Sequence, residues 1–110
     1  MQKYLGISTE GNYKDGCMQD GHWTDGAFGY FPTYTLGAMN AAQIFKTAVK
    51  EVPGIPEALR KGDLQPLRSW LAEKVWSQGC FHSIDDLMKS ATGETLQTKY
   101  FIDHLKSRYL

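Results

Sequence analysis

A stretch rich in glycine and aromatic residues, positions 20–37, most constrains what this chain can fold into. It reads DGHWTDGAFGYFPTYTLG, and its glycines at 21, 26, 29 and 37 exclude an unbroken helix or strand. Pro32 stands where a helix can begin, because proline lacks only an N–H that the first helical turn leaves unpaired. The sequence therefore predicts a loop over residues 20–31, held over a concave surface and leading into a long helix.

Helical periodicity dominates the rest of the chain. Over residues 32–50 one apolar stripe is predicted, formed by Leu36, Met39, Ala42, Phe45 and Val49. Glycine and proline then separate shorter predicted helices over 57–61, 63–78, 83–93 and 99–109. No alternation typical of a strand persists beyond a few residues. The predicted fold class is all-α.

Caps and inward faces can also be predicted for these helices. Asp63, Ser83 and Thr98 are predicted as N-caps, and a further short turn capped by Asp15 is predicted over 17–19. On the predicted 63–78 helix, the apolar residues expected to face inward are Leu67, Trp70, Leu71 and Val75, with Trp76 on the same packing face. On the predicted 99–109 helix they are Phe101, Ile102, Leu105 and Tyr109.

Composition restricts the partners of the chain. Its 110 residues allow one modest core, and 12 basic residues balance 12 acidic ones. This balance argues against nucleic acid and anionic membranes as partners. Two cysteines, without a signal peptide or an apolar run of about 20 residues, predict free thiols and a cytoplasmic location.

The aromatic stretch resembles the C-terminal signature of the carboxypeptidase Taq family (thermostable carboxypeptidase 1). That signature runs as His-Trp, two variable residues, Gly, one variable residue, Phe-Gly-Tyr-Phe-Pro-Thr-Tyr, one variable residue and Leu-Gly. Here it begins at His22-Trp23 and ends at Leu36-Gly37. The resemblance extends through Ala41-Ala42-Gln43 and a turn at 91–94, so it covers essentially the whole chain.

The resemblance implies a zinc-dependent, mostly helical carboxypeptidase that releases C-terminal amino acids. Residues 1–110 would be the C-terminal part of its catalytic domain. The family's zinc-binding His-Glu-x-x-His pattern is absent here, and His22, His82 and His104 lack ligand spacing. Zinc in the parent enzyme would therefore be bound outside this chain. The implied partners are a peptide substrate, the upstream half of the enzyme and, in a homodimer, a second copy.

The candidate site residues follow from the same resemblance. Tyr30 is the predicted donor to the oxyanion of the tetrahedral intermediate, because a phenol is a neutral donor on a stiff side chain. His22 would hydrogen-bond substrate backbone, with Tyr34 as a further substrate contact. Gly26 and Gly29 would let the loop approach the substrate. The alternative for Tyr30, Tyr34 and His22 is packing with satisfied polar atoms, and Trp23, Phe28 and Phe31 are predicted to be core.

A second class of function stays open at this point. A helical chain that leaves its aromatic face bare fits a non-enzymatic interaction or regulatory module derived from the family. The intact parent is expected to be a peptide hydrolase, whereas this segment alone is expected to be inactive.

Overall fold

The structure, a computed structural model, describes residues 2–16 and 19–110. These residues form helices and loops without a strand, which confirms the all-α prediction. Two compact units divide the chain, residues 1–34 and 35–110. The helices are α1 (Gln2–Leu5), α2 (Gly21–Thr24), α3 (Pro32–Glu51), α4 (Ile55–Arg60), α5 (Gln65–Lys74), α6 (Ile84–Thr92) and α7 (Thr98–Tyr109), with a 3₁₀ turn at Trp76–Gln78 after α5.

In the first unit, one helical turn interrupts the predicted loop. α1 ends at Gly6, whose φ of 67° is the left-handed conformation expected at a helix C-terminus. α2 lies inside the 20–31 segment, where glycine spacing alone predicted only loop. The predicted turn over 17–19 falls on Cys17 and Met18, which lie outside the described residues.

The second unit has a small apolar core between α3, α4 and α5. Ala48, Ile55 and Trp70 are its buried members. Leu67, Leu71 and Val75 pack against them, which confirms the inward face predicted for the 63–78 helix. That helix is shorter than predicted: α5 ends at Lys74, and the chain continues as the 3₁₀ turn.

The predicted apolar stripe of α3 is wrong for two of its members. Leu36 and Phe45 are exposed, whereas the buried residues of α3 are Gln43 and Ala48. α3 is apolar on more than one side, so periodicity could not decide which side the other helices cover. On other elements, the large apolar side chains predicted to be inward but found exposed are Trp76, Ile102, Leu105 and Tyr109.

Of the three N-caps predicted for these helices, one is confirmed and two are corrected. Ser83 Oγ accepts from the N–H of Asp86 at the start of α6, as predicted. Asp63 accepts from Gln65 N–H at 2.8 Å, but the N-cap of α5 is Leu64, one residue later. Thr98 is already helical, and the N-cap of α7 is Gln97, without a side-chain cap bond.

Loss of the Ser83 cap is expected to destabilise α6 measurably. Ser83→Ala removes the acceptor for Asp86 N–H and should lower the free energy of unfolding by about 1 kcal/mol. Urea unfolding followed by circular dichroism measures the change. Ser90→Ala, an exposed site in the same helix, is the control and should stay within about 0.5 kcal/mol of the wild type. Equal stabilities for the two variants would contradict the capping role.

A buried glutamine ties α3 to the turn between α6 and α7. Gln43 is fully buried, and its Nε2 donates to Thr92 Oγ1 at 2.8 Å and to the carbonyls of Glu94 and Thr95 at 3.2 Å. Its Oε1 accepts from Gln97 N–H at 2.8 Å. One side chain thus satisfies several polar groups of residues 92–97, so it fixes the path of that turn.

A groove between α3 and α7 remains open in the second unit. Its volume is about 570 Å³, and its apolar lining includes Ala41, Ala42, Phe45 and Phe101. The small alanine side chains leave room beside α3 for another element to approach. Of the helices the structure describes, none is long and apolar enough to cross a membrane.

Candidate functional site

Asp20 sets the local fold of the aromatic stretch. It stands just before α2 in extended conformation, and its carboxylate accepts from His22 N–H at 2.9 Å. Aspartate is a favoured N-cap because it pairs an N–H that the first helical turn leaves free. Thr24 Oγ1 closes the turn by donating to Gly21 O at 2.9 Å. These bonds hold His22 at the start of a single helical turn.

Two glycines then turn the chain from α2 into α3. Gly26 and Gly29 have φ of 70° and 77°, which side chains with a Cβ rarely adopt. Apart from the glycine itself and its chain neighbours, no described atom lies within 4 Å of a Cβ built at either position, so backbone conformation, not space, requires glycine here. Between them Ala27 N–H donates to His22 O at 2.8 Å. The turn brings Tyr30 and Tyr34 back to the His22 ring.

Both ring nitrogens of His22 have partners. Nδ1 lies 2.6 Å from Asp20 Oδ1, and Nε2 lies 3.1 Å from the Tyr34 hydroxyl. The His22 backbone N–H, followed by the His22 ring, lowers the pKa of Asp20 below its ordinary value, so this carboxylate is ionised and can only accept. The proton on that side must therefore sit on Nδ1. In a neutral ring, Nε2 then accepts from the Tyr34 O–H.

The two tyrosines of the site differ in what their hydroxyls do. Tyr34 donates to His22 Nε2 when the ring is neutral. The Tyr30 hydroxyl makes no hydrogen bond to any described residue, although its ring lies 5.4 Å from that of Tyr34 and is stacked on His22 at 5.7 Å. About half of the Tyr30 side chain is exposed, at 49%. Tyr30 is therefore held by ring contacts with its O–H free to donate.

The neighbouring aromatic residues pack around His22 without forming a buried core. Phe31 lies 4.5 Å from the His22 ring, and Trp23 contacts both Phe31 and Phe28 at 5.9 and 5.6 Å between ring centroids. Trp23 is half-buried, but Phe28 is 75% and Phe31 43% exposed. The prediction that the two phenylalanines are core is wrong for this chain, because its described residues leave one side of the cluster uncovered.

Comparison with known proteins identifies the chain. The family model described as carboxypeptidase Taq (M32) metallopeptidase matches residues 1–109. The chain belongs to the carboxypeptidase Taq family. It is 37% identical over its full length to thermostable carboxypeptidase 1 of Pyrococcus furiosus, and 42% identical over 98% of its length to carboxypeptidase 1 of Bacillus subtilis. It covers 22% and 21% of those two chains, so it spans about a fifth of their length.

The fold agrees with solved members of the carboxypeptidase Taq family. Trypanosoma cruzi metallocarboxypeptidase 1 is 46% identical and superposes with a TM-score of 0.91, over 99% of this chain and 23% of that one. This confirms that the chain is a helical fragment of the family fold. The family resemblance predicted from the signature at 22–37 is likewise confirmed.

The donor groups of the described residues do not form a metal site. Within residues 2–16 and 19–110, no three His, Cys, Asp or Glu side chains lie close enough together to hold a metal ion. Asp20 and His22 form a pair, but the third group at that ring is a tyrosine hydroxyl. The polar groups that meet at the His22 ring are a carboxylate and a phenol.

The structure brings together every predicted site residue and adds one that was missed. His22, Tyr30 and Tyr34 meet at one ring cluster, with Gly26 and Gly29 forming the turn between them. Asp20 was not among the predicted site residues. An aspartate two residues before a histidine, at the start of a helical turn, is the signal that would have indicated both the cap and the ring partner.

Proposed function

We propose that this chain is the C-terminal segment of a zinc metallocarboxypeptidase, and that it supplies Tyr30 as the hydrogen-bond donor to the oxyanion of peptide hydrolysis. The reaction is hydrolysis of the last peptide bond of a substrate. The observation that carries the proposal is the free Tyr30 hydroxyl beside a His22 ring whose two nitrogens are already bonded. Zinc and its ligands would belong to the part of the enzyme outside this chain.

The chemistry of the intermediate explains why a free phenol matters. Attack of water on the peptide carbonyl places negative charge on the former carbonyl oxygen. A donor fixed in advance at that oxygen is worth about 10²–10³ in rate. A phenol is a neutral hydrogen-bond donor. Ring contacts hold Tyr30 in place on two sides, so little ordering is left to do on binding. Tyr34 is the weaker candidate for this donor because its proton is directed at His22.

The other site residues have supporting roles. A direct bond from His22 to substrate backbone would have to displace Asp20 or Tyr34 from its ring. Exposed Tyr34, Phe28 and Phe31 form the wall against which a peptide would lie. The upstream part of the enzyme would cover the apolar groove between α3 and α7. A homodimer stays a prediction from the family resemblance, and a cytoplasmic location stays a prediction from the sequence.

A chimeric enzyme tests this proposal. The 110 residues replace the matching fifth of the Bacillus subtilis carboxypeptidase 1, to which they are 42% identical. Hydrolysis of a blocked dipeptide is then measured with bound metal quantified. Tyr30→Phe removes only the hydroxyl, and we expect kcat to fall by about 10²–10³ with metal content unchanged.

Tyr13→Phe is the matched control. It makes the same substitution on an exposed tyrosine of the same unit and should leave kcat at the wild-type value. Near-wild-type kcat for Tyr30→Phe would make Tyr30 a packing residue. A folded, metal-loaded chimera without activity would favour the alternative of a non-enzymatic interaction module.

A further inference from the structure

We propose that Asp20 is a positioning residue: it fixes the proton of His22 on Nδ1 and thereby makes the Tyr34 oxygen a hydrogen-bond acceptor for a substrate backbone N–H. This inference rests on the proposed function, in which a peptide lies beside Tyr30 and Tyr34. It assigns a role to Asp20 beyond that of a helix cap.

The hydrogen bonds between Asp20 and His22 run in one direction, towards the carboxylate. Asp20 Oδ1 receives both the backbone N–H of His22 at 2.9 Å and the ring Nδ1–H at 2.6 Å. A single oxygen thus holds the main chain and the ring of the same residue, which fixes the ring plane as well as its tautomer. The Asp20 and His22 side chains are only 37% and 25% exposed, so water competes with this pair incompletely.

The direction of these bonds determines what the Tyr34 hydroxyl can do. The only acceptor that a neutral Nδ1–H ring offers is Nε2, which lies 3.1 Å from the Tyr34 hydroxyl. With its proton committed to Nε2, the phenol oxygen keeps lone pairs that can only accept. The rings of Tyr34 and His22 meet edge-on at 88°, which leaves one side of that oxygen clear of the imidazole.

The two tyrosines present complementary hydrogen-bonding groups. Tyr30 presents a free O–H, whereas Tyr34 presents an acceptor, and their rings are 5.4 Å apart at 87°. A peptide backbone alternates carbonyl acceptors and N–H donors. One donor and one acceptor held side by side therefore pair with a peptide backbone that runs in one direction and not in the reverse. Loss of Asp20 would free the His22 ring to move its proton to Nε2, which would turn Tyr34 into a donor like Tyr30.

Two substitutions separate positioning from capping. Serine is as good an N-cap as aspartate, but it is too short to reach the ring. Asparagine keeps an oxygen for both bonds without the charge. A cap alone predicts that Asp20→Ser resembles the wild type, whereas positioning predicts that Asp20→Ser is the damaged variant and Asp20→Asn the mild one.

The tautomer is measured first, in the 110-residue chain. Long-range ¹H–¹⁵N NMR at about pH 8.5, where imidazoles are neutral, distinguishes a protonated from an unprotonated ring nitrogen. We expect His22 to carry its proton on Nδ1 in the wild type and Asp20→Asn, and to populate the Nε2 form in Asp20→Ser. The chimeric carboxypeptidase is then assayed, and we expect kcat/KM to fall about tenfold or more for Asp20→Ser and less for Asp20→Asn.

The acceptor role of Tyr34 predicts a separate kinetic signature. Tyr34→Phe should raise KM with little change in kcat, because it removes a bond made equally to substrate and transition state. The proposal is overturned if Asp20→Ser keeps the proton on Nδ1, if it keeps wild-type kcat/KM, or if Tyr34→Phe leaves KM unchanged. Failure of the oxyanion role is read separately, from wild-type kcat in Tyr30→Phe with the tautomer of His22 intact.

Discussion

Gln43→Met is expected to lower the free energy of unfolding by about 2–4 kcal/mol, because it leaves polar groups of the 92–97 turn without partners. Methionine fills a similar volume, so the change removes hydrogen bonds without opening a large cavity. Gln97 N–H and the Thr95 carbonyl lose the bonds they make to this side chain. Thr92 Oγ1 keeps its bond to Met88 O at 2.8 Å, which limits the loss. Urea unfolding of the 110-residue chain measures the difference.

Gln65→Met is the matched control for this prediction. Gln65 is exposed at the start of α5, and among the described residues its side chain bonds only to the exposed Ser69. The same substitution there should stay within about 0.5 kcal/mol of the wild type. If the two variants unfold at the same urea concentration, the turn does not depend on Gln43. Hydrogen exchange of Gln97 N–H gives a local readout. It should be faster in Gln43→Met than in the wild type while the chain is still globally folded.

The Gln43 network also shows where sequence reasoning stopped. Periodicity predicted α3 almost to the residue, because proline starts it and Pro53-Gly54 follows its end. It did not predict that the most buried polar side chain of the unit would be a glutamine on that helix. Its partners are backbone groups some fifty residues later, and a helical pattern contains no information about contacts at that distance.

The faces of the helices were harder to predict than their existence. Leu67 and Leu71 were assigned correctly because the large apolar residues of α5 lie on one side, and Val75 follows directly at the end of that helix. Phe45 on α3 and Ile102 on α7 are just as apolar but lie exposed. Burial depends on which other elements are present to cover a residue. This chain spans about a fifth of the length of its curated relatives.

The sequence predicted which residues would lie together in the aromatic stretch, but not how they are hydrogen-bonded. The motif at 22–37 identified His22, Tyr30 and Tyr34 as one group, and the structure places their rings within 6 Å of one another. The order Asp20, His22, Tyr34 along one line of hydrogen bonds depends on the two positive-φ glycines that turn the chain back. Residue types alone did not show which hydroxyl would be bonded and which free.

Trp70→Ala is expected to be the most destabilising single substitution, lowering the free energy of unfolding by about 3–5 kcal/mol. Trp70 is 5% exposed and packs with Ala48 and Ile55, so its removal leaves a cavity among three helices. Its indole N–H also donates to Glu51 at 2.8 Å. Glu51 is the last residue of α3, where a negative charge is unfavourable beside the helix dipole, and the indole bond offsets that repulsion.

Intermediate variants separate the two contributions of Trp70. Trp70→Phe keeps much of the apolar volume but loses the donor, and we expect a cost of about 1–2 kcal/mol, of which Glu51→Gln should recover part by removing the unpaired charge. Trp76→Ala is the matched control, since Trp76 is 55% exposed in the 3₁₀ turn and should cost less than about 1 kcal/mol. Similar losses at Trp70 and Trp76 would contradict a core between α3, α4 and α5, because burial is the main difference between the two tryptophans.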